Sequence, residues 1–181
     1  LLTSKEIIGE HVGRDAKEKI KSIRWGNWAL NNNGARAIVK NKIEIDSSAT
    51  PGIKGHTNDS RTFDWSRATS SYPWHLSMKN YQSTTEKKSS VLEIPISVFS
   101  FFGMKLRADP LYSELLKKAF VLYHRHIDRS HQPFPFVIMT HSCEATTENG
   151  KPTQALRDLD EFISFAKKFD DVKFSRIKDT F

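Results

Sequence analysis

Cysteine is nearly absent from this chain, which has one among 181 residues. A single cysteine excludes a disulfide framework within the chain and is typical of a reducing compartment, so we expect a cytoplasmic location. No apolar run of about 18 residues occurs, so no membrane span is expected. Residues 1–10 are too polar for the apolar region of a signal peptide. We therefore expect any targeting signal to lie upstream of Leu1.

Acidic residues are outnumbered by basic ones, 21 Asp and Glu against 28 Lys and Arg, which gives a net charge of +7. Concentrated positive charge attracts nucleic acid or anionic glycans. Here the basic residues are scattered, without an aromatic-interleaved RNA motif or zinc-finger spacing, so no nucleic-acid partner is predicted. With 38% hydrophobic and 27% charged residues the chain is globular. We predict a single domain over residues 1–181.

Strand patterns alternate with helices or long crossovers, which favours parallel strands in an α/β fold. Strands are predicted at 21–25, 42–46, 90–99, 134–140 and 172–177. Helices are predicted from Thr3 or Ser4, over 27–40, over 111–129 with Leu115, Ala119 and Leu122 facing inward, and after the capping residue Thr153. Residues 47–80, rich in Ser, Thr, Gly, Pro and Asn, are predicted to form a long loop on the substrate side.

Polar side chains follow three of the predicted strands. Arg24, Asp46 and His141 stand at strand ends, where ligands bind in parallel α/β folds. Each residue alone is more often structural: a hydrogen-bonded His, a turn-forming Asp or a solvated Arg. A cation, a carboxylate and an imidazole on one rim together favour a site.

Aromatic residues are concentrated in and beside the long loop: Trp25, Trp28, Trp65, Tyr72 and Trp74. Exposed indole faces are platforms for sugar rings. The alternative is that these rings pack the loop against the core.

Several short motifs occur in an order that resembles one family: IRWGNW at 23–28, IEIDSS at 43–48, FDWSRA at 63–68, SYPW at 71–74, VLEIPIS at 91–97 and FVIMTHS at 136–142. The chain resembles the C-terminal portion of the polysaccharide deacetylase family (NodB homology, carbohydrate esterase family 4), in its branch associated with bacterial surface polysaccharides. The resemblance implies an α/β fold, a distorted, TIM-like (β/α) barrel of the deacetylase type that lacks its N-terminal strands. It also implies a hydrolase that removes acetyl groups from a sugar or polysaccharide with the help of a divalent metal, zinc above all.

The resemblance assigns roles to residues of this chain. His141 would be the general acid that protonates the leaving group, Arg24 would orient the carboxylate of the base, and Asp46 would lie near the catalytic rim. The residues that would bind the sugar are Trp25, Asp64, Trp65, Tyr72 and Trp74.

The family's first two motifs, which supply the base and the metal ligands, should precede residue 24. That segment contains only His11 and Asp15, spaced four residues apart, and lacks a third ligand. We therefore predict no metal ligand within this chain, expect the ligands upstream of Leu1, and expect the isolated chain to be inactive. GHTNDS at 55–60 and RTFDWS at 61–66 imitate these motifs, but they come in the wrong order and are interpreted as loop residues.

Three other interpretations stay open. The chain could be a non-catalytic, carbohydrate-binding member of the same fold. It could be a hydrolase with Cys143 as nucleophile beside His141. It could be a glycosidase with Asp46 and Glu93 as paired carboxylates, although Glu93 is expected in the middle of its strand rather than at the rim.

Overall fold

The computed structural model describes residues 2–56, 62–85, 88–128, 130 and 133–180. The chain divides into two compact units, Leu1–Pro95 with Ile177–Phe181 and Ile96–Arg176. Because compactness does not show whether either unit folds alone, the single domain over 1–181 stays a prediction.

The regular elements of the described residues are mostly short. The helices are α1 (Leu2–Val12), α2 (Arg14–Lys19), α3 (Asn32–Lys40), α4 (Ser113–His126) and α5 (Gln154–Ala166). The strands are β1 (Ser22–Ile23), β2 (Ile45–Asp46), β3 (Lys54–His56), β4 (Thr62–Asp64), β5 (Trp74–Ser77), β6 (Lys88–Glu93), β7 (Val98–Phe101) and β8 (Met104–Arg107). Thr153 caps α5 as predicted, its hydroxyl accepting from the Leu156 amide.

The first unit contains a four-stranded sheet in the order β1-β2-β6-β5. The pairs β1–β2 and β2–β6 are parallel, as predicted, while β5 runs antiparallel to β6. Two antiparallel hairpins, β3–β4 in the first unit and β7–β8 in the second, form separate two-stranded sheets. Residues 47–80, predicted as one long loop, thus contain three short strands, β3 to β5. The part of the two decoy motifs at 57–61 lies outside the described residues.

The predicted (β/α) barrel is wrong. The described residues form a mixed α/β structure with sheets of two to four strands, and none of these sheets closes. The strand predicted at 134–140 is extended chain outside every sheet, joined to neighbours by the bonds from Ser97 N–H to Val137 O and from Met139 N–H to Ala108 O. Pro135 lacks an amide hydrogen, which works against a continuous ladder through this segment. Likewise, residues 172–176 are not a strand.

Helix α3 directs the chain into β2. It begins at Asn32 rather than at residue 27, because the Asn31 side chain accepts from the Gly34 amide 2.9 Å away. It ends in a Schellman motif, in which Ile43 N–H bonds Ile38 O and Lys42, at φ 54°, occupies the left-handed position. The buried Ile38 and Ile43 then lead into β2. This helix end therefore helps to place Asp46.

The second unit has an aromatic core between α4 and α5. Phe120 lies edge-on to Phe162 and is packed with the buried Leu116 and Ala166. The prediction that Leu122 faces inward is wrong, since this side chain is 56% exposed. Leu122 lies about 120° around the helix from Leu116, which removes it from the buried stripe.

Candidate functional site: a buried carboxyl pair at three strand ends

Three parallel strands bring polar residues together at their carboxyl ends. The register aligns Ile23 of β1 with Asp46 of β2, and Asp46 with Glu93 of β6. Asp46 and Glu93 are the last residues of their strands, and Arg24 directly follows β1. The expectation that Glu93 lies in mid-strand is therefore wrong. Arg24 and Asp46 lie at one edge of the sheet, as their predicted positions at strand ends imply.

Asp46 and Glu93, which we call the carboxyl pair, are completely buried and are register partners across β2 and β6. Asp46 Oδ1 accepts from the Ser48 hydroxyl at 2.7 Å, and Glu93 Oε1 accepts from the Ala49 amide at 2.8 Å. The remaining oxygens, Asp46 Oδ2 and Glu93 Oε2, have no donor among the described residues. Two carboxyl groups in one dry site disfavour each other's ionised form, so the carboxyl pair favours a single negative charge over two.

Burial raises the pKa of both acids. Burial, followed by the charge of Asp46, raises the pKa of Glu93 well above its ordinary value. Burial also raises the pKa of Asp46, but the hydrogen bond from Ser48 and the charge of Arg24 oppose that rise. Glu93 is therefore the more readily protonated of the two acids.

Arg24 completes the network. Its Nε donates to Ser47 O at 2.8 Å and its Nη2 to Ser47 Oγ at 3.0 Å, whereas Nη1 makes no hydrogen bond to a residue that the structure describes. Burial lowers the pKa of Arg24, while the charges of Glu93 and Asp46 raise it. An arginine keeps its charge even so. The guanidinium is consequently fixed on one edge, with a donor left on the other.

The backbone after β1 is tied to the same network. The Trp25 amide donates to Ser48 Oγ at 2.8 Å, and that hydroxyl in turn donates to Asp46. The turn after β2 is buried from Ser47 to Thr50. One chain of hydrogen bonds therefore joins the ends of β1, β2 and β6.

The predicted sugar-binding residues divide by exposure. Trp65 and Trp74 belong to the core of the first unit, and Trp65 Nε1 donates to Trp28 O at 2.9 Å. Trp25 is half-buried and packs against that core. Asp64 is exposed and accepts from Ser66, and Tyr72 is half-buried. Packing is the role that the structure shows for the three indoles, and contact with a sugar stays a prediction for all five residues.

His141 and Cys143 belong to the second unit. His141 is exposed, and its backbone amide donates to the Glu144 carboxylate at 3.2 Å. Cys143 is exposed and free, within a short 3-10 helix over Ser142–Glu144. The placement of His141 relative to Arg24 and Asp46 stays a prediction, as does its role as a general acid.

The described residues do not fit the zinc that the resemblance implies. Within the described ranges no group of three or more His, Cys, Asp or Glu side chains could hold a metal ion. The carboxyl pair offers only two acids, the pKa of each is raised by burial, and they lie beside the Arg24 cation. His11 and Asp15 do not share a helix, because Gly13 separates α1 from α2. Metal ligands upstream of Leu1 stay a prediction.

No helix among the described residues has the length and apolar character needed to cross a membrane.

Comparison with known proteins identified no relative: no family model matches the chain, and neither a curated protein nor a solved structure is significantly similar to it. The likeness to polysaccharide deacetylases therefore rests on the short motifs alone.

Proposed function

We propose that this chain is part of a hydrolase that removes acetyl groups from a sugar or polysaccharide of the bacterial surface. In this proposal the chain contributes Arg24, held in place by the carboxyl pair and Ser47. The observation that carries the proposal is the fixed guanidinium at the carboxyl ends of parallel strands, with Nη1 unbonded among the described residues. Ligands bind at this edge in α/β enzymes.

The chemistry of deacetylation explains why such an arginine is useful. A base must take a proton from the attacking water, and an acid must protonate the departing amine or alcohol. Two bonds to Ser47 set the plane of the Arg24 guanidinium and so direct Nη1. A fixed guanidinium orients a carboxylate with more geometric precision than an ammonium group does. Arg24 is thus a positioning residue for the base, and His141 is the proposed acid.

The buried charges suit this role. Because burial raises the pKa of both acids, the carboxyl pair favours one negative charge over two, and that charge offsets the charge of Arg24. An isolated half-buried guanidinium would be costly, whereas a paired one is stable. The carboxyl pair therefore supports Arg24 without touching a substrate, since both acids are completely buried.

The proposal is tested by acetate release from N-acetylglucosamine oligomers in the native protein. We expect His141→Ala to lower kcat by about 10²-fold or more, the usual contribution of a general acid. Arg24→Lys should lower kcat by at least about tenfold. A lysine ammonium cannot donate to both Ser47 oxygens and also hold a further N–H in a fixed direction toward the base. Arg36→Lys is the matched control, since Arg36 is exposed and bonds Met78 O and Asn33 outside the network. Unchanged rates in both test variants would show the proposal to be wrong, as would equal activity in the isolated 181-residue chain.

A second candidate is a carbohydrate-binding member without catalytic activity. It is favoured by the complete burial of Asp46 and Glu93, which leaves neither carboxylate any surface for a substrate. This function predicts that acetylated oligomers bind, that no acetate is released, and that His141→Ala binds as tightly as the parent. Calorimetric titration beside the acetate assay separates the two candidates.

A further inference from the structure

A groove of about 500 Å³ runs along α4 in the second unit. The side chains of α4 that line it recur every three or four residues: Glu114, Lys117, Lys118, Val121, Leu122 and Arg125. Phe165 of α5 forms part of its wall. The eleven helical rises from Glu114 to Arg125, at 1.5 Å each, make the groove about 16 Å long. That length accommodates about three turns of a second helix.

The middle of the groove is apolar. Val121, Leu122 and Phe165 line it, and Leu122 exposes 56% of its surface although it belongs to a helix with a well-packed opposite face. Exposed single leucines are ordinary, but one that lies within a concave apolar lining offers a place for another apolar side chain.

Only one of the three cations that line the groove forms ion pairs among the described residues. Lys117 is paired with Glu114 at 2.9 Å and with Glu161 at 3.0 Å. Lys118 and Arg125 form no ion pair within 4.0 Å in the described part of the chain, although the charge of Lys118 acts on Glu114. These two cations are seven residues apart on one helix, which is about 10 Å along its axis, and they flank the apolar centre. Their spacing matches carboxylates seven residues apart on a second helix.

We propose that this groove binds an amphipathic helix of a partner protein, with two acidic residues seven positions apart and leucine-like anchors between them. The anchors would lie against Val121, Leu122 and Phe165, and the acids would pair with Lys118 and Arg125. Recognition of this type places apolar anchors in the groove and uses the rim charges to set register and select the partner. This interface is independent of the proposed hydrolase activity.

The test uses two synthetic helical peptides of about fourteen residues and the full chain. Both carry two adjacent leucines, flanked by Glu in one peptide and by Lys in the other at positions seven apart. In fluorescence anisotropy we expect the Glu peptide to bind at least about tenfold more tightly, with an affinity that falls as salt rises. The double variant Lys118→Glu with Arg125→Glu should reverse the preference, and Leu122→Asp should abolish binding of both peptides.

Lys105→Glu is the matched control, because it changes an exposed cation of β8 that does not line the groove. Circular dichroism should show that every variant keeps its helices, since the altered side chains are outside the core. Three results would overturn the proposal: no binding of the Glu peptide, equal binding of both peptides, or binding that Leu122→Asp leaves intact.

Discussion

The burial of Glu93 beside Asp46 makes the stability of this protein depend on pH in an unusual direction. The ordinary pKa of Glu93 is 4.5, and in the folded chain burial and Asp46 raise the pKa well above that value. An acid whose pKa is raised on folding binds its proton more tightly in the folded state. Its stabilising contribution is therefore complete below pH 4.5 and is lost as the pH rises through the folded pKa.

The substitution Glu93→Gln isolates this effect. The glutamine oxygen can accept from the Ala49 amide as Glu93 Oε1 does, and its amide can donate to Asp46 without a bound proton. Between the unfolded and folded pKa values, the native protein loses about 1.4 kcal/mol of its unfolding free energy per pH unit from this one group. The variant has no such loss. We therefore expect Glu93→Gln to gain stability relative to the native protein at each step of pH above 4.5, until the folded pKa is reached.

Urea unfolding followed by tryptophan fluorescence, at one-unit steps from about pH 5 to pH 8, measures the difference directly. Glu44→Gln is the control, because Glu44 lies beside β2 with 61% of its side chain exposed, in a surface pair with Lys21. Its pH profile should run parallel to that of the native protein. If Glu93→Gln also gives a parallel profile, or becomes relatively less stable as the pH rises, then folding does not raise the pKa of Glu93.

Two further predictions concern α3. Lys42→Gly should raise the unfolding free energy by about 1 kcal/mol, because glycine tolerates the left-handed position that Lys42 occupies at φ 54°. Lys42→Ala retains the Cβ and should show no such gain in thermal unfolding; a gain from alanine would refute the conformational explanation. Gly34→Ala should lower the melting temperature although alanine favours helices by about 1 kcal/mol. Its Cβ would lie 2.8 Å from Leu30 Cδ1 and 3.1 Å from Trp25 Cζ2, so an unchanged or higher melting temperature would mean that both side chains can move aside.

Part of the candidate site could be predicted from the sequence because it depends on local pattern. An apolar alternation that ends in a polar residue identified Arg24 and Asp46 as strand-end residues, and the parallel pairing brings them to one edge. Glu93 was missed as a strand end because apolar residues surround it in VLEIPIS. Pro95 was the available signal, since proline cannot donate to a ladder and often follows a strand end.

The barrel was predicted from the resemblance and from the alternation of elements, and neither determines how a sheet closes. Closure depends on pairing between segments far apart in sequence. Here β5 returns antiparallel to β6, and residues 134–140 join no sheet. Leu122 shows a similar limit on a smaller scale. A helical pattern indicates an apolar stripe, but the position of the packed partner decides where around the helix the buried face is centred.

The sequence by itself determined what local pattern controls: a globular composition, the cap at Thr153, and two of the polar residues at the strand ends. The alternation of elements also predicted correctly that β1, β2 and β6 run parallel. Tertiary structure alone decided that Asp46 and Glu93 meet in a completely buried place with Arg24 beside them. A carboxyl group in a sequence is an ordinary acid that is ionised at neutral pH. Its pKa rises well above the ordinary value only when folding removes its water and places a second carboxyl group beside it.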